Sequence, residues 1–214
     1  MRHIVVLNAK GGCGKSTLTT NLAVLFAREG SRVCIADYDP QRSSLDWLAQ
    51  RPADLPAISG VPAYEEGLRN VARNTDILLI DAPARVHGTE LNEFVRRAET
   101  IIVPVLPSSV DMKACGHFMG ELLEIGKVSR KQARLAVIAN RVRENTLVFE
   151  ELDQYLEKLK VPYLGFLREA QNYVRAYSRG MGVHELPEYL AWPDWKQWQP
   201  ITEWLDSKRS QPPA

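Results

Sequence analysis

The chain has 214 residues, 45% apolar and 25% charged, with 27 basic against 26 acidic side chains and a net charge of +1. That length supports one domain with a full core, and the composition excludes a disordered or fibrous chain. Near-neutral charge excludes a protein that binds nucleic acid over its whole surface, but leaves room for a local basic patch. No apolar run is long enough to span a bilayer, and the chain enters a strand pattern at once, so neither a membrane span nor a secretory leader is expected. Cys13, Cys34 and Cys115 have neither disulfide nor zinc spacing, which fits a reducing cytoplasm.

Taken in chain order, runs rich in Val, Ile and Leu predict strands at 3–8, 32–37, 76–81, 100–106 and 134–140, with a shorter one at 163–167. Helical patterns lie between them, at about 16–29, 43–50, 64–73, 89–97, 110–126, 146–159, 168–179 and 197–207. The segment 51–63 carries Pro52, Pro56, Pro62 and Gly60 and reads as an irregular connection. Residues 207–214 read as a flexible polar tail beyond a single domain at 1–206, and there are no internal repeats. Apolar strands alternating with helices imply a sheet buried on both faces. The predicted class is α/β: one doubly wound domain around a mostly parallel sheet.

The first strand runs into Ala9-Lys10-Gly11-Gly12-Cys13-Gly14-Lys15-Ser16-Thr17, and a helical pattern follows at once. Strand, glycine-rich turn and helix start, in that order, make a phosphate-binding loop. Glycines let backbone N–H groups approach an anion, and the helix adds its positive dipole end. Lys15 would reach the β/γ-phosphates of a nucleotide and the Ser16 hydroxyl would ligand Mg²⁺. The strict phosphate-loop pattern has glycine where Ala9 stands, and this chain has an additional lysine, Lys10, at the mouth of the loop. Cys13 reads as a small loop residue rather than a nucleophile.

Ligands of such sheets bind at the carboxyl ends of the strands. The second strand ends Asp37-Tyr38-Asp39-Pro40-Gln41, and another ends Ile77-Leu78-Leu79-Ile80-Asp81 before Ala82-Pro83. A carboxylate directly after four apolar residues is the Walker B arrangement, which places an acid on the metal or its water shell. The four histidines show no metal spacing and read as solvated or capping residues.

In combination, K-G-G-x-G-K-S, D-x-D-P-Q, the apolar run into D-A-P, and Pro104 with Pro107 resemble the ParA/MinD family of deviant Walker ATPases. So does the later stretch Arg168-Glu169-Ala170 to Gly182-Val183, and the likeness covers most of residues 1–185. Because the chain opens on its first strand, it resembles the short ParA proteins, including the McdA-type branch that positions carboxysomes.

The resemblance implies an ATP-dependent homodimer with two nucleotides sandwiched between subunits and Lys10 crossing to the partner's phosphates. It makes Lys10, Lys15 and Asp39 the catalytic set, with Asp39 orienting water 24 positions after Lys15. Gly11, Gly12, Cys13, Gly14, Lys15, Ser16 and Thr17 would hold the nucleotide, and Asn140 would bond adenine. Ser16, Asp37 and Asp81 are the metal candidates; for Asp37 a strand-end hydrogen bond is an equal alternative. With ATP and Mg²⁺ as cofactors, slow hydrolysis would wait for an adaptor carried by a cargo: a plasmid, a chromosome locus or a protein body such as a carboxysome.

ParA-like proteins bind DNA without sequence preference. The candidates here are Lys127, Arg130, Lys131, Arg134, Arg143, Arg168 and Arg175. The expected location is the cytoplasm, on the nucleoid. The rival is a MinD-like regulator of division recruited to the membrane. It would use the Trp-rich segment 192–205, whose weakly charged face and Pro200 suit packing onto the sheet better.

Overall fold

The computed structural model describes residues 1–212. In chain order the elements are β1 (Arg2–Val6), α1 (Lys15–Arg28), β2 (Val33–Asp37), α2 (Ser43–Ala49), β3 (Ile58–Val61), α3 (Ala63–Glu66), β4 (Ile77–Asp81) and α4 (Gly88–Arg97). They continue as β5 (Thr100–Val105), α5 (Ser109–Glu124), α6 (Gly126–Ser129), β6 (Arg134–Val142), α7 (Leu147–Glu157), β7 (Tyr163–Arg168), α8 (Gln171–Tyr177) and α9 (Glu188–Asp206). Single 3₁₀ turns lie at Val183–Glu185 and Lys208–Ser210.

All seven strands are parallel, in the order β3-β2-β4-β1-β5-β6-β7. The chain leaves β1 toward β2 on one side and returns past it to β5 on the other. The loop after β1 therefore sits at the point where the winding reverses, where such sheets bind ligands. The expected fold class holds, and the sheet is wholly parallel.

Alternation along the strands divides the core in two. Val5, Leu78, Ile80, Ile101 and Val137 pack under α4, α5 and α7; Ile4, Val6, Ile35, Leu79, Ile102 and Ile138 pack under α1, α2 and α9. The same parity puts Asp37, Asp81 and Asn140 on the α1 face.

Three expectations are corrected. First, the segment 51–63 contains an edge strand, β3, paired to β2. Gly60 is the reason it fits: a Cβ there would lie 2.6 Å from Leu48 and 2.7 Å from Leu45, so α2 rests directly on β3. The helical pattern at 64–73 correspondingly shrinks to α3.

Second, the last helix begins at Glu188, not 197, and runs through Pro193 and Pro200. The two prolines are seven residues apart, hence on one face, and both are exposed, so the carbonyls they leave unbonded can turn to water. Ala191, Asp194, Trp198, Ile201, Trp204 and Leu205 are buried.

Third, the tail is docked over residues 207–210. Ser210 is fully buried; its hydroxyl takes a hydrogen bond from Arg2 (2.8 Å) and donates to the Leu205 carbonyl (2.7 Å), while Thr100 donates to the Ser210 carbonyl (2.6 Å). These bonds close the amino ends of β1 and β5.

Candidate nucleotide site

The loop after β1 carries the nucleotide-binding candidates Gly11 to Thr17. Gly14 begins α1 in the left-handed region (φ 89°), and a Cβ on it would lie 2.3 Å from Asn140 Nδ2. Both facts require glycine: one through the backbone, the other through a close approach from β6. Asn140, buried at the end of β6, donates from Nδ2 to the Cys13 carbonyl at 2.8 Å. Its amide nitrogen thus braces the loop, a different task from the adenine contact that the resemblance implies.

Lys15 is buried, and its Nζ donates to the carbonyls of Lys10 (3.3 Å) and Asn8 (3.5 Å), which holds the cation inside the loop. Asn8 in turn is fixed by donating to Pro104 O at 2.7 Å and accepting from Lys10 N at 3.0 Å. Cys13 Sγ lies 3.3 Å from Lys10 O, and burial pushes its thiol above the ordinary range, as suits a filler rather than a nucleophile.

Asp37 and Asp81 are register partners on adjacent strands, so their carboxylates sit side by side. Asp37 Oδ1 accepts from Asp39 N (2.9 Å), and Oδ2 accepts from Ser44 N (3.0 Å) and Leu45 N (3.2 Å). It caps α2, which supplies the strand-end hydrogen bond weighed from the sequence. Burial still raises its pKa, against those three backbone bonds.

Asp81 is buried and accepts a hydrogen bond from Ser44 Oγ. Desolvation pushes its pKa up to about 7, opposed by the hydroxyls of Ser44 and Ser16. Asp39 is half-buried and accepts from Gln41 N at 2.9 Å, a tight turn that holds its carboxylate over the end of β2.

Among the described residues no group of three or more His, Cys, Asp or Glu could by itself hold a metal ion. The arrangement fits Mg²⁺ nonetheless. That ion prefers one or two carboxylates completed by water and substrate phosphates, and the donors at hand are the oxygens of Ser16 and Asp81 beside the loop. A carboxylate desolvated this strongly gains a compensating charge when a cation enters. A cavity of about 430 Å³ lies on the opposite face, between Tyr38, Pro40, Pro83, Ala84 and α4.

The basic candidates do not form one surface. β6 is nine residues long, about 26 Å at roughly 3.3 Å per residue, and it separates them. Lys127, Arg130, Lys131 and Arg134 lie at the amino end of the sheet, where Lys127 bonds Arg96 O and Arg134 bonds Gln211 O. Arg143, Arg168 and Arg175 lie at the carboxyl end. Arg168 is committed to Asp194, fully buried, at 2.6 Å. Arg141 and Arg143 share Glu169, and Arg175 is exposed. His184, expected to be solvated or a cap, instead stacks on Trp195 and edges against Trp198; burial lowers its pKa to about 4.

A doubly wound parallel sheet with a glycine-lysine loop at its reversal point and two carboxylates at neighbouring strand ends defines a nucleotide-binding domain of the deviant Walker kind. The chain belongs to the family described as "CobQ/CobB/MinD/ParA nucleotide binding domain", which matches residues 4–183. It is 26% identical over 189 residues to the maintenance of carboxysome distribution protein A of Halothiobacillus neapolitanus, covering 86% of this chain and 87% of that one. To the chromosome-partitioning ATPase Soj of Thermus thermophilus it is 28% identical over 191 residues, 73% of this chain and 76% of the other. The septum site-determining protein MinD of Pyrococcus horikoshii, solved with Mg-ADP, shares the fold at a TM-score of 0.67 and 18% identity, over 96% of each chain. No helix among the described residues is long and apolar enough to cross a membrane.

Proposed function

We propose that this chain is an ATPase that positions or partitions an intracellular cargo. It would dimerise around ATP, bind duplex DNA without sequence preference, and release it when a cargo-borne adaptor stimulates hydrolysis. The observation that carries the reading is the loop with Lys10 at its mouth and Lys15 held inside, facing the Asp37–Asp81 pair with Asp39 on the adjoining turn.

Backbone N–H groups of Gly11 to Thr17 and the start of α1 bind the polyphosphate, and Lys15 orients it. Ser16 and Asp81 would hold Mg²⁺, which neutralises charge on the phosphates. Asp39 orients the attacking water. Lys10 of a second copy adds a cation at the transferring phosphoryl group, so that dimerisation depends on the γ-phosphate. The relatives named for carboxysome distribution and chromosome partitioning support a positioning role and leave either cargo open. Mg-ADP in the MinD structure supports the choice of nucleotide and metal.

The MinD-like reading of a membrane-held dimer loses support because α9 spends Trp198, Ile201, Trp204 and Leu205 on the core. The test measures binding to random-sequence duplex DNA and to anionic vesicles, with ADP and with ATP–Mg²⁺, using Asp39→Ala to hold the ATP state. ATP-dependent, salt-sensitive DNA binding without vesicle binding is expected. Vesicle binding alone would favour the membrane reading.

A further inference from the structure

Ser44 stands one residue inside α2, fully buried, and touches both strand-end carboxylates. Its backbone N–H donates to Asp37 Oδ2 at 3.0 Å and its hydroxyl donates to Asp81 Oδ2. Helix capping explains only the first contact. Asp37 caps the first turn from β2, and the hydroxyl reaches past it to the next strand but adds nothing to the helix.

The turn that bears Ser44 is itself immobilised. Arg42 enters α2 at φ 54°, Tyr177 donates to Ser43 O at 2.6 Å, and Trp47 donates to Met181 O at 3.1 Å. At the far end of α2, Arg51 pairs with Glu185 at 2.6 Å, both side chains buried. Ser44 is therefore a fixed donor, held by a helix pinned at both ends. Ser16, at the start of α1, lies near enough to the same Asp81 carboxylate to oppose its desolvation.

We propose that Ser44 is a positioning residue for the metal: its hydroxyl fixes the Asp81 carboxylate toward Ser16 and the phosphate loop, and joins that carboxylate to the Asp37–Gln41 turn that carries Asp39. Groups that orient a metal-bearing carboxylate without touching the metal commonly change metal affinity 10- to 100-fold. The inference rests on the ATP–Mg²⁺ reading of the site. A residue that merely satisfied a buried acid would alter stability and leave metal affinity alone.

The experiment uses Mn²⁺ as the probe, titrated by EPR into the full chain saturated with a non-hydrolysable ATP analogue, alongside analogue binding in EDTA. The wild-type titration is read first, since failure to bind Mn²⁺ there counts against the ATPase reading itself. Ser44→Ala is expected to weaken Mn²⁺ about tenfold, with analogue affinity in EDTA within about twofold of wild type. Ser44→Thr, which keeps the hydroxyl, is expected to restore most of the Mn²⁺ affinity. Unchanged Mn²⁺ binding in Ser44→Ala would overturn the proposal. So would an equal loss in EDTA, which marks general collapse of the site, or a Thr variant as impaired as Ala.

Discussion

The two ends of the sheet are built on opposite principles. At the amino end the chain is tied shut by side-chain hydrogen bonds: Arg2, Thr100 and Ser210 bond one another, and Arg32 bonds Asp76 through both side-chain and backbone nitrogens. At the carboxyl end, two carboxylates are desolvated side by side and Lys15 is buried among loop carbonyls. Strain collects there too. Of the five non-glycine residues with positive φ among those described, Arg42, Arg85 and Asn145 follow strand ends, Arg141 lies one residue from the carboxyl end of β6, and only Lys131 precedes a strand. Conformations of that kind cost of order 1 kcal/mol each or more and persist where surrounding structure over-determines them. One end maximises stability, and the other holds unfavourable groups in place for a ligand.

The sharpest way to break this contrast is at the loop. Lys15→Ala removes a buried charge, so it is expected to weaken ATP binding more than about 100-fold while the melting temperature holds or rises. Calorimetry with ATP and a thermal melt on the same sample check both halves. Gly14→Ala should lose binding and stability together. The left-handed backbone and the displaced Asn140 amide, with its bond to Cys13 O, together cost about 2 kcal/mol. Gly12→Ala has the backbone cost alone, since no atom lies within 4 Å of its would-be Cβ.

How far these features could be read in advance follows the same division. The phosphate loop was legible because its chemistry is local: glycines, lysine and hydroxyl adjoin one another in sequence. The strand-end acids were legible because a parallel sheet delivers consecutive strand ends to one edge. What escaped was set by packing between distant segments. β3 hides in a Pro- and Gly-rich stretch because its Gly60 answers to Leu45 and Leu48 of α2. The early start of α9 is masked by prolines that are harmless only because they face solvent. Ser44 looks like an ordinary helix-start serine, and only the pairing of β2 with β4 brings it to Asp81. The run of basic residues misled for the converse reason: neighbours in sequence are carried to opposite ends by a nine-residue strand.

Arg168 tests which arginines belong to the frame. Its loss leaves the fully buried Asp194 with Asn172 as its remaining side-chain partner, at 2.7 Å. Arg168→Ala is expected to destabilise the fold by about 3 kcal/mol, read by denaturant unfolding. A change below about 1 kcal/mol would return Arg168 to the free surface set.

His184 gives a smaller, pH-dependent effect. Its folded pKa is lowered to about 4, mainly by burial, with Arg28 lowering it further and Asp194 opposing. Between its ordinary value and about 4 the unfolded chain binds a proton that the folded chain does not, so stability is fully present above that window and falls as pH falls through it. From pH 7 to pH 5 the loss is on the order of 2 kcal/mol, and His184→Gln should flatten that slope. An unchanged slope would mean that the ring protonates in the folded state without penalty.

The smallest effects on stability fall on the exposed arginines, and under the proposed function they test which end of the sheet would meet DNA. Subunits that join across their nucleotides bring two carboxyl ends together and leave the amino ends apart, so Arg143 and Arg175 of both copies would share one surface. Among the described residues the Arg143 side chain bonds only the exposed Glu169, at 2.6 Å, and its removal should cost the fold less than about 1 kcal/mol. Combining Arg143→Ala with Arg175→Ala should nevertheless weaken ATP-dependent DNA binding about tenfold and flatten its dependence on salt, by about one unit of slope for each phosphate that is no longer neutralised. Arg130→Ala with Lys131→Ala, at the other end, should change it less than about twofold. The reverse pattern, read from salt titrations of both double variants, would place DNA on the closed end and require the dimer to present its far surfaces instead.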